Sequence, residues 1–146
     1  MRVEVASRSG RSMVAGLTIL YGCVLVYWMF FAFNRAHFTD YRYNFIPFDT
    51  INHFVGIARE ARGPAVLNLF GNVIPFIPFG LLLPLSARLN PIVWTFVFAA
   101  VITLLEMLQL VTKRGMFDVD DIILNVLGFL IGYVVLFVVR SLLFSK

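Results

Sequence analysis

The residues able to do chemistry are few, and they fall at helical spacings. Asn68 and Asn72 are four apart, Glu106 and Gln109 three apart, and Asp121 and Asn125 four apart, so each pair shares one face of an α-helix. The run Phe117-Asp118-Val119-Asp120-Asp121 places three carboxylates within four residues. Acids so close together could hold a hard cation through oxygen ligands. Asp118 is also a natural N-cap, and Asp120 and Asp121 in a first turn complement the helix dipole. The glycine and distal glutamate of a calcium loop of the EF-hand type are missing; a metal at these acids stays open but unsupported, and no metal or cofactor is assigned. Glu106 is a carboxylate inside an otherwise uncharged apolar run. Such a residue faces a bundle interior or a watery cavity, where it binds a ligand, handles a proton or makes a structural hydrogen bond. No Ser/His/Asp set, phosphate-binding glycine loop, zinc motif or nucleotide fingerprint is present, and His37 and His53 have no ligand spacing. If the chain were an enzyme, Glu106 or Asp120 would be its general base.

The elements that carry these residues belong in a bilayer. Hydrophobic residues make up 60% of the 146 and charged residues 14%, against about 25% charged in a soluble domain. A chain this short cannot hide that much apolar surface from water, and sixteen Phe exclude a disordered, solvating protein. Four blocks reach the roughly 20 residues that a helix needs to cross hydrocarbon: about Met13–Phe33, Ala65–Leu85, Pro91–Val111 and Ile122–Val139. Each must be helical, because an open strand would leave backbone groups unsatisfied in lipid. The first reads as a retained signal-anchor, being too long for a cleavable signal and lacking a small-x-small site after it. The expected architecture is an all-α membrane protein, a single four-helix domain over 1–146. A long non-cytoplasmic loop, about 34–64, joins helices one and two. Its aromatic and basic residues (Phe38, Tyr41, Arg42, Tyr43, Phe45, Phe48) suit the lipid–water boundary. Cys23 is the single cysteine, so disulfides play no part.

Local signals refine the spans. Asn90-Pro91 is a cap followed by a proline at the first helical position, and the short turn before it makes helices two and three antiparallel neighbours. Pro75 and Pro78 inside the second span each remove a backbone hydrogen bond, so helix two is expected to kink or unwind between Asn72 and Gly80. Gly128 and Gly132 permit a close helix approach.

With four spans both termini share a side. Arg2, Arg8, Arg11, Arg88, Arg140 and Lys146 fall on that side, and Arg35, Arg42, Arg59, Arg62, Lys113 and Arg114 on the other. The count is a tie. The arginine cluster ahead of the first helix and the short loop carrying Arg88 place both termini in the cytoplasm. At 1.5 Å per residue, Asn72 and Glu106 lie about 10 Å, and Asn125 about 6 Å, inside the end opposite the termini. Gln109 lies nearer still to that end. The strongly polar residues therefore occupy one half of the bilayer, and a polar pocket open to the outer side is expected from Asn72, Glu106, Gln109, Asp118, Asp120, Asp121 and Asn125. Arg42, Arg59, Arg62, Lys113 and Arg114 on the adjoining loops are candidate anion contacts.

Four motifs occur in order: Asn44-Phe-Ile-Pro47-Phe48, Asn72-x-x-x-Phe76-x-Pro78-x-Gly80, Glu106-x-x-Gln109, and Phe117-Asp118-x-Asp120-Asp121-x-x-x-Asn125-x-x-Gly128. Over about residues 44–139 the chain resembles the VanZ-like family of small bacterial membrane proteins. Pro75 stands where an ordinary apolar residue is expected, and Gly115 where a basic residue is expected, with Arg114 one place earlier. The resemblance implies a multi-pass protein of the bacterial cell membrane, with a link to low-level resistance to the glycopeptide teicoplanin. No catalytic activity is established for the family, so none is implied here.

Two functions follow as expectations. The first is a non-enzymatic protein that binds an anionic lipid or lipid-linked wall precursor at its outer pocket. Its partners would be membrane lipids rather than nucleic acid, because the basic residues sit between hydrophobic blocks. The alternative is a membrane enzyme acting on a polyprenyl-phosphate-type lipid. Both depend on orientation. In a Cys23→Ser background, a cysteine at Met116 should react with an impermeant maleimide added to whole cells, and cysteines at Ser9 or Ser86 only after lysis. The reverse labelling would turn the pocket toward the cytoplasm.

Overall fold

A computed structural model describes residues 7–31, 38–87 and 89–144. The expected end of the first span at Phe33, His37, and the charges Arg2, Arg35, Arg88 and Lys146 lie outside these residues. In chain order the elements are α1 (Arg8–Phe31), β1 (Tyr43–Asn44), α2 (Asp49–Ile57), α3 (Arg62–Gly71), a 3-10 turn (Ile74–Phe76), α4 (Ile77–Ser86), α5 (Pro91–Val111), β2 (Phe117–Asp118) and α6 (Val119–Phe144). Four segments are long and apolar enough to cross a membrane: Arg8–Phe31, Arg62–Ser86, Pro91–Val111 and Val119–Leu143. The all-α, four-span expectation holds.

The connection between the first two spans differs from the loop expected over 34–64. It contains α2, and β1 pairs in parallel with β2 through Tyr43–Phe117 and Asn44–Asp118. The second span starts at Arg62, ahead of Ala65. The fourth starts at Val119, ahead of Ile122, because Asp118 caps it: its Oδ1 accepts from the Asp120 N–H at 2.9 Å. The α5 start matches the cap reading, with Asn90 Oδ1 accepting from the Ile92 N–H at 2.8 Å.

The second span is broken where its prolines stand. α3 ends at Gly71, a 3-10 turn carries Pro75, and α4 resumes at Ile77. Tyr21 of α1 donates from its hydroxyl to the Pro75 carbonyl at 2.8 Å, tying the first span to this break. α6 lies against the broken span at backbone contact. A Cβ at Gly128 would collide with the Val73 carbonyl oxygen, one at Gly132 with the Ile77 carbonyl oxygen, and one at Gly80 with the Phe129 carbonyl oxygen. Three glycines thus let two backbones meet, with glycine Cα–H groups aimed at carbonyls. The apolar core fills the space beside this seam: Phe98 stacks on Phe129 at 4.7 Å between centroids, and Phe76 meets Phe98 edge-on at 6.0 Å.

Substituting Gly132 or Gly128 with Ala should therefore cost more than the about 1–3 kcal/mol of ordinary overpacking, since backbone rather than a side chain stands in the way. Gly16→Ala, where nothing lies within 4 Å, should be neutral or better. Unfolding of the purified protein in mixed micelles, followed by circular dichroism, reads the difference.

Candidate functional site

Three carboxylates at the start of α6 project in three directions. Asp118 accepts from the Asn44 side-chain amide at 3.2 Å and from the Thr50 hydroxyl at 2.6 Å. Asp120 accepts from the backbone N–H of Phe48 at 2.6 Å and of Ile51 at 3.0 Å. It therefore caps the N-terminus of α2 from another helix, using the unsatisfied donors and positive end that every helix start presents. Asp121 accepts from the Asn72 amide at the break of the second span. Asp118 and Asp120 are 1% and 0% exposed. Hydrogen bonds to charged acceptors contribute about 1.5–3 kcal/mol each, and they hold Phe48 at φ 67°, a left-handed conformation that a bulky residue avoids without such support. Asn44 also turns its own backbone, its Oδ1 accepting from the Ile46 N–H at 3.0 Å.

The end of α5 builds the other wall. The Lys113 N–H reaches the Leu110 carbonyl and the Arg114 N–H the Gln109 carbonyl, both at 3.0 Å. This is a Schellman turn with Lys113 in the left-handed position, at φ 54°. The turn splays the two bases apart. Lys113 donates to the Thr39 carbonyl at 2.8 Å and lies over the Tyr41 ring. Arg114 donates to the Phe30 carbonyl at 3.2 Å and lies over the Phe31 ring. Gln109 donates to the Met29 carbonyl at 3.1 Å, so Gln109 and Arg114 together satisfy consecutive carbonyls near the end of α1. Gly115 is buried, and a Cβ there would sit 3.0 Å from Gln109 Cβ, so a side chain at this position would press on Gln109.

The sequence-expected residues thus gather at one end without forming a single hydrogen-bonded set. Asn72 joins Asp121; Gln109 turns to α1. Glu106 and Asn125 are buried at 2% and 1% exposure, and Asn125 Oδ1 accepts no hydrogen bond among the described residues. Arg42 lies over the Phe38 ring while its carbonyl accepts from the Phe117 N–H; Arg59 and Arg62 are exposed on the turn into α3. Among the described residues no group of three or more His, Cys, Asp or Glu could hold a metal ion. Chemically, Asp120 is sealed with both oxygens accepting, so it reaches no substrate proton in this arrangement. Thr50 was missed by sequence reasoning. Its signal is slight: a hydroxyl in the first turn of a short helix that follows Asn44-x-x-Pro47.

Fold and site together define a four-span membrane protein whose polar residues are buried at one end and cross-braced by acids. The sequence profile of the VanZ/LLP1 family matches residues 18–140. The protein named Protein VanZ from Enterococcus faecium is 30% identical over 129 residues, covering 84% of this chain and 73% of that protein. The chain belongs to the VanZ/LLP1 family. No solved structure gives a significant match.

Double-mutant cycles should resolve the cross-bracing. Asn72/Asp121 and Thr50/Asp118 should each couple by about 0.5–3 kcal/mol, and Asn72/Gln109 by close to zero. Asp120→Ala should leave α2 susceptible to proteolysis within 48–57 while the four spans stay inserted.

Proposed function

We propose that this protein is a non-enzymatic component of the bacterial cell envelope, oriented with both termini in the cytoplasm. At its outer, polar end it binds an anionic lipid or lipid-linked wall precursor, and it contributes in this way to glycopeptide resistance of the teicoplanin type. The observation that carries the reading is the commitment of Asp118, Asp120 and Asp121 to acceptor roles inside the protein. Free acids beside a phosphate would repel it. With these three acids turned inward, Arg42, Lys113, Arg114 and the exposed aromatics Tyr41, Tyr43, Phe45 and Phe48 line the outer face beside the exposed acids Asp40, Asp49 and Glu60. Aromatic rings at headgroup level with cations stacked on them suit a phosphate carried on an apolar chain. The enclosure of Asp120 favours binding over catalysis, and membership of the family adds the link to the cell envelope.

Native mass spectrometry of the purified protein tests this. A polyprenyl phosphate should be retained about tenfold or more over phosphatidylglycerol, and substitution of Arg42 and Lys113 together with Ala should remove the preference. Equal retention of the two lipids would sink the reading. In cells, Glu106→Gln should insert normally yet lose any effect on teicoplanin susceptibility at matched protein levels, as Glu106→Leu does. Retained activity in Glu106→Gln would show that the charge is dispensable. Turnover of a labelled precursor by the wild type, abolished in Glu106→Gln, would replace binding by catalysis.

A further inference from the structure

The stretch 38–46 carries Arg42 together with Phe38 and Tyr41, the rings under Arg42 and Lys113. Packing against the bundle contributes little to its course, since Tyr41, Tyr43, Phe45 and Ile46 are 59%, 60%, 63% and 65% exposed. Hydrogen bonds to residues 113–118 direct it instead. At its start the Phe38 N–H donates to the Lys113 carbonyl at 2.9 Å, and the Lys113 ammonium donates to the Thr39 carbonyl at 2.8 Å. In its middle the Phe117 N–H donates to the Arg42 carbonyl at 3.0 Å, where β1 and β2 begin to pair. Near its end the Asn44 side-chain amide donates to Asp118 at 3.2 Å.

The anchor at Asp118 is the buried one. Its carboxylate also accepts from the Thr50 hydroxyl at 2.6 Å and from the Asp120 N–H at 2.9 Å, so it is fixed from three sides. A hydrogen bond to an ionised acceptor is about twice as strong as a neutral one, and releasing Asn44 would leave buried acceptor capacity unfilled. Asn44 passes this constraint to the chain. Its Oδ1 accepts from the Ile46 N–H at 3.0 Å, and its amide also reaches the Thr50 hydroxyl at 3.1 Å. The backbone is thus held at Arg42 through its carbonyl and again two residues later through Asn44. Arg42 itself is exposed, with its guanidinium 4.3 Å from the centroid of the Phe38 ring.

We propose that Asp118 determines the headgroup selectivity of the outer end without touching the lipid, as a positioning residue that acts through Asn44 on Arg42. The inference rests on the binding reading above and names the residue that makes the site selective. It gives a role in anion binding to a group whose own charge opposes an anion. Two effects of removing Asp118 therefore have opposite signs. Losing a negative charge from the outer end favours a bound phosphate. Losing the anchor frees the chain around Arg42, so the guanidinium must be ordered when the lipid binds, and binding weakens. Positioning is the larger effect in this proposal.

Native mass spectrometry of the purified protein with polyprenyl phosphate and phosphatidylglycerol separates the two effects. Asn44→Ala changes no charge, and Asp118→Ala removes a negative one. Both should bring the wild-type preference of about tenfold down to about one, through loss of polyprenyl phosphate while phosphatidylglycerol is retained as before. General loosening of the fold would instead lower both lipids together and leave their ratio unchanged, which would overturn the positioning role. A preference kept in Asn44→Ala, or raised in Asp118→Ala, would overturn it as well and leave the binding reading standing. If Asp118→Ala fails to insert, Asn44→Ala decides alone. A wild type that shows no preference would overturn both readings.

Discussion

A carboxylate shut away from water must find its donors inside the protein, and the start of α6 presents two, Asp118 and Asp120, with the half-buried Asp121 beside them. Asp118 draws in Asn44 and Thr50, Asp120 draws in the start of α2, and Asp121 draws in Asn72 at the break of the second span. One helical turn therefore positions β1, α2 and the kink of a neighbouring span together. The arrangement is economical in an apolar medium, where each partner satisfies a group that lipid could not. It also makes the polar end a braced platform, with little freedom for α2 to move while its helix start remains capped by Asp120.

The broken second span answers the same constraint by other means. Prolines at 75 and 78 disrupt the regular ladder, and neighbours supply what is lost: the Tyr21 hydroxyl at the Pro75 carbonyl, and glycine faces of α6 against the carbonyls of Val73 and Ile77. The break puts Asn72 at the end of α3, within reach of Asp121. Kink, glycine seam and acidic turn are thus one construction, in which a helix can be interrupted at membrane depth because another helix lies at backbone contact.

Side-chain chemistry divides along the bundle in the same way. At the end opposite the termini, Arg42, Lys113 and Arg114 rest on aromatic rings beside the inward-turned acids of α6. Between α1, the broken second span and α5 lies an apolar crevice of about 230 Å³. The pin formed by Gln109 and Arg114 on the last carbonyls of α1 separates the two. It gives Arg114 a structural duty as well as a charge.

Much of this was legible in the chain itself. Four apolar blocks of spanning length, Asn90-Pro91 before α5, Asp118 before α6 and two prolines near Asn72 are local signals, and hydrocarbon admits few responses to them: a helix, a cap, a break. The same spacing arithmetic brought Asn72, Glu106, Gln109 and Asn125 to one half of the bilayer. It could not say which partner each would take, because a helical face has a direction only once its neighbour is placed. Gln109 turned to α1, Asp120 crossed to α2, and the stretch between the first two spans became a strand and a helix rather than a loop, since the acceptors that order it lie about seventy residues away at Asp118 and Asp120. Local chemistry determined the spans and their interruptions; the partners of the buried acids and the gap between α1 and α5 were decided only by tertiary packing, where residues distant in sequence share one low-dielectric space.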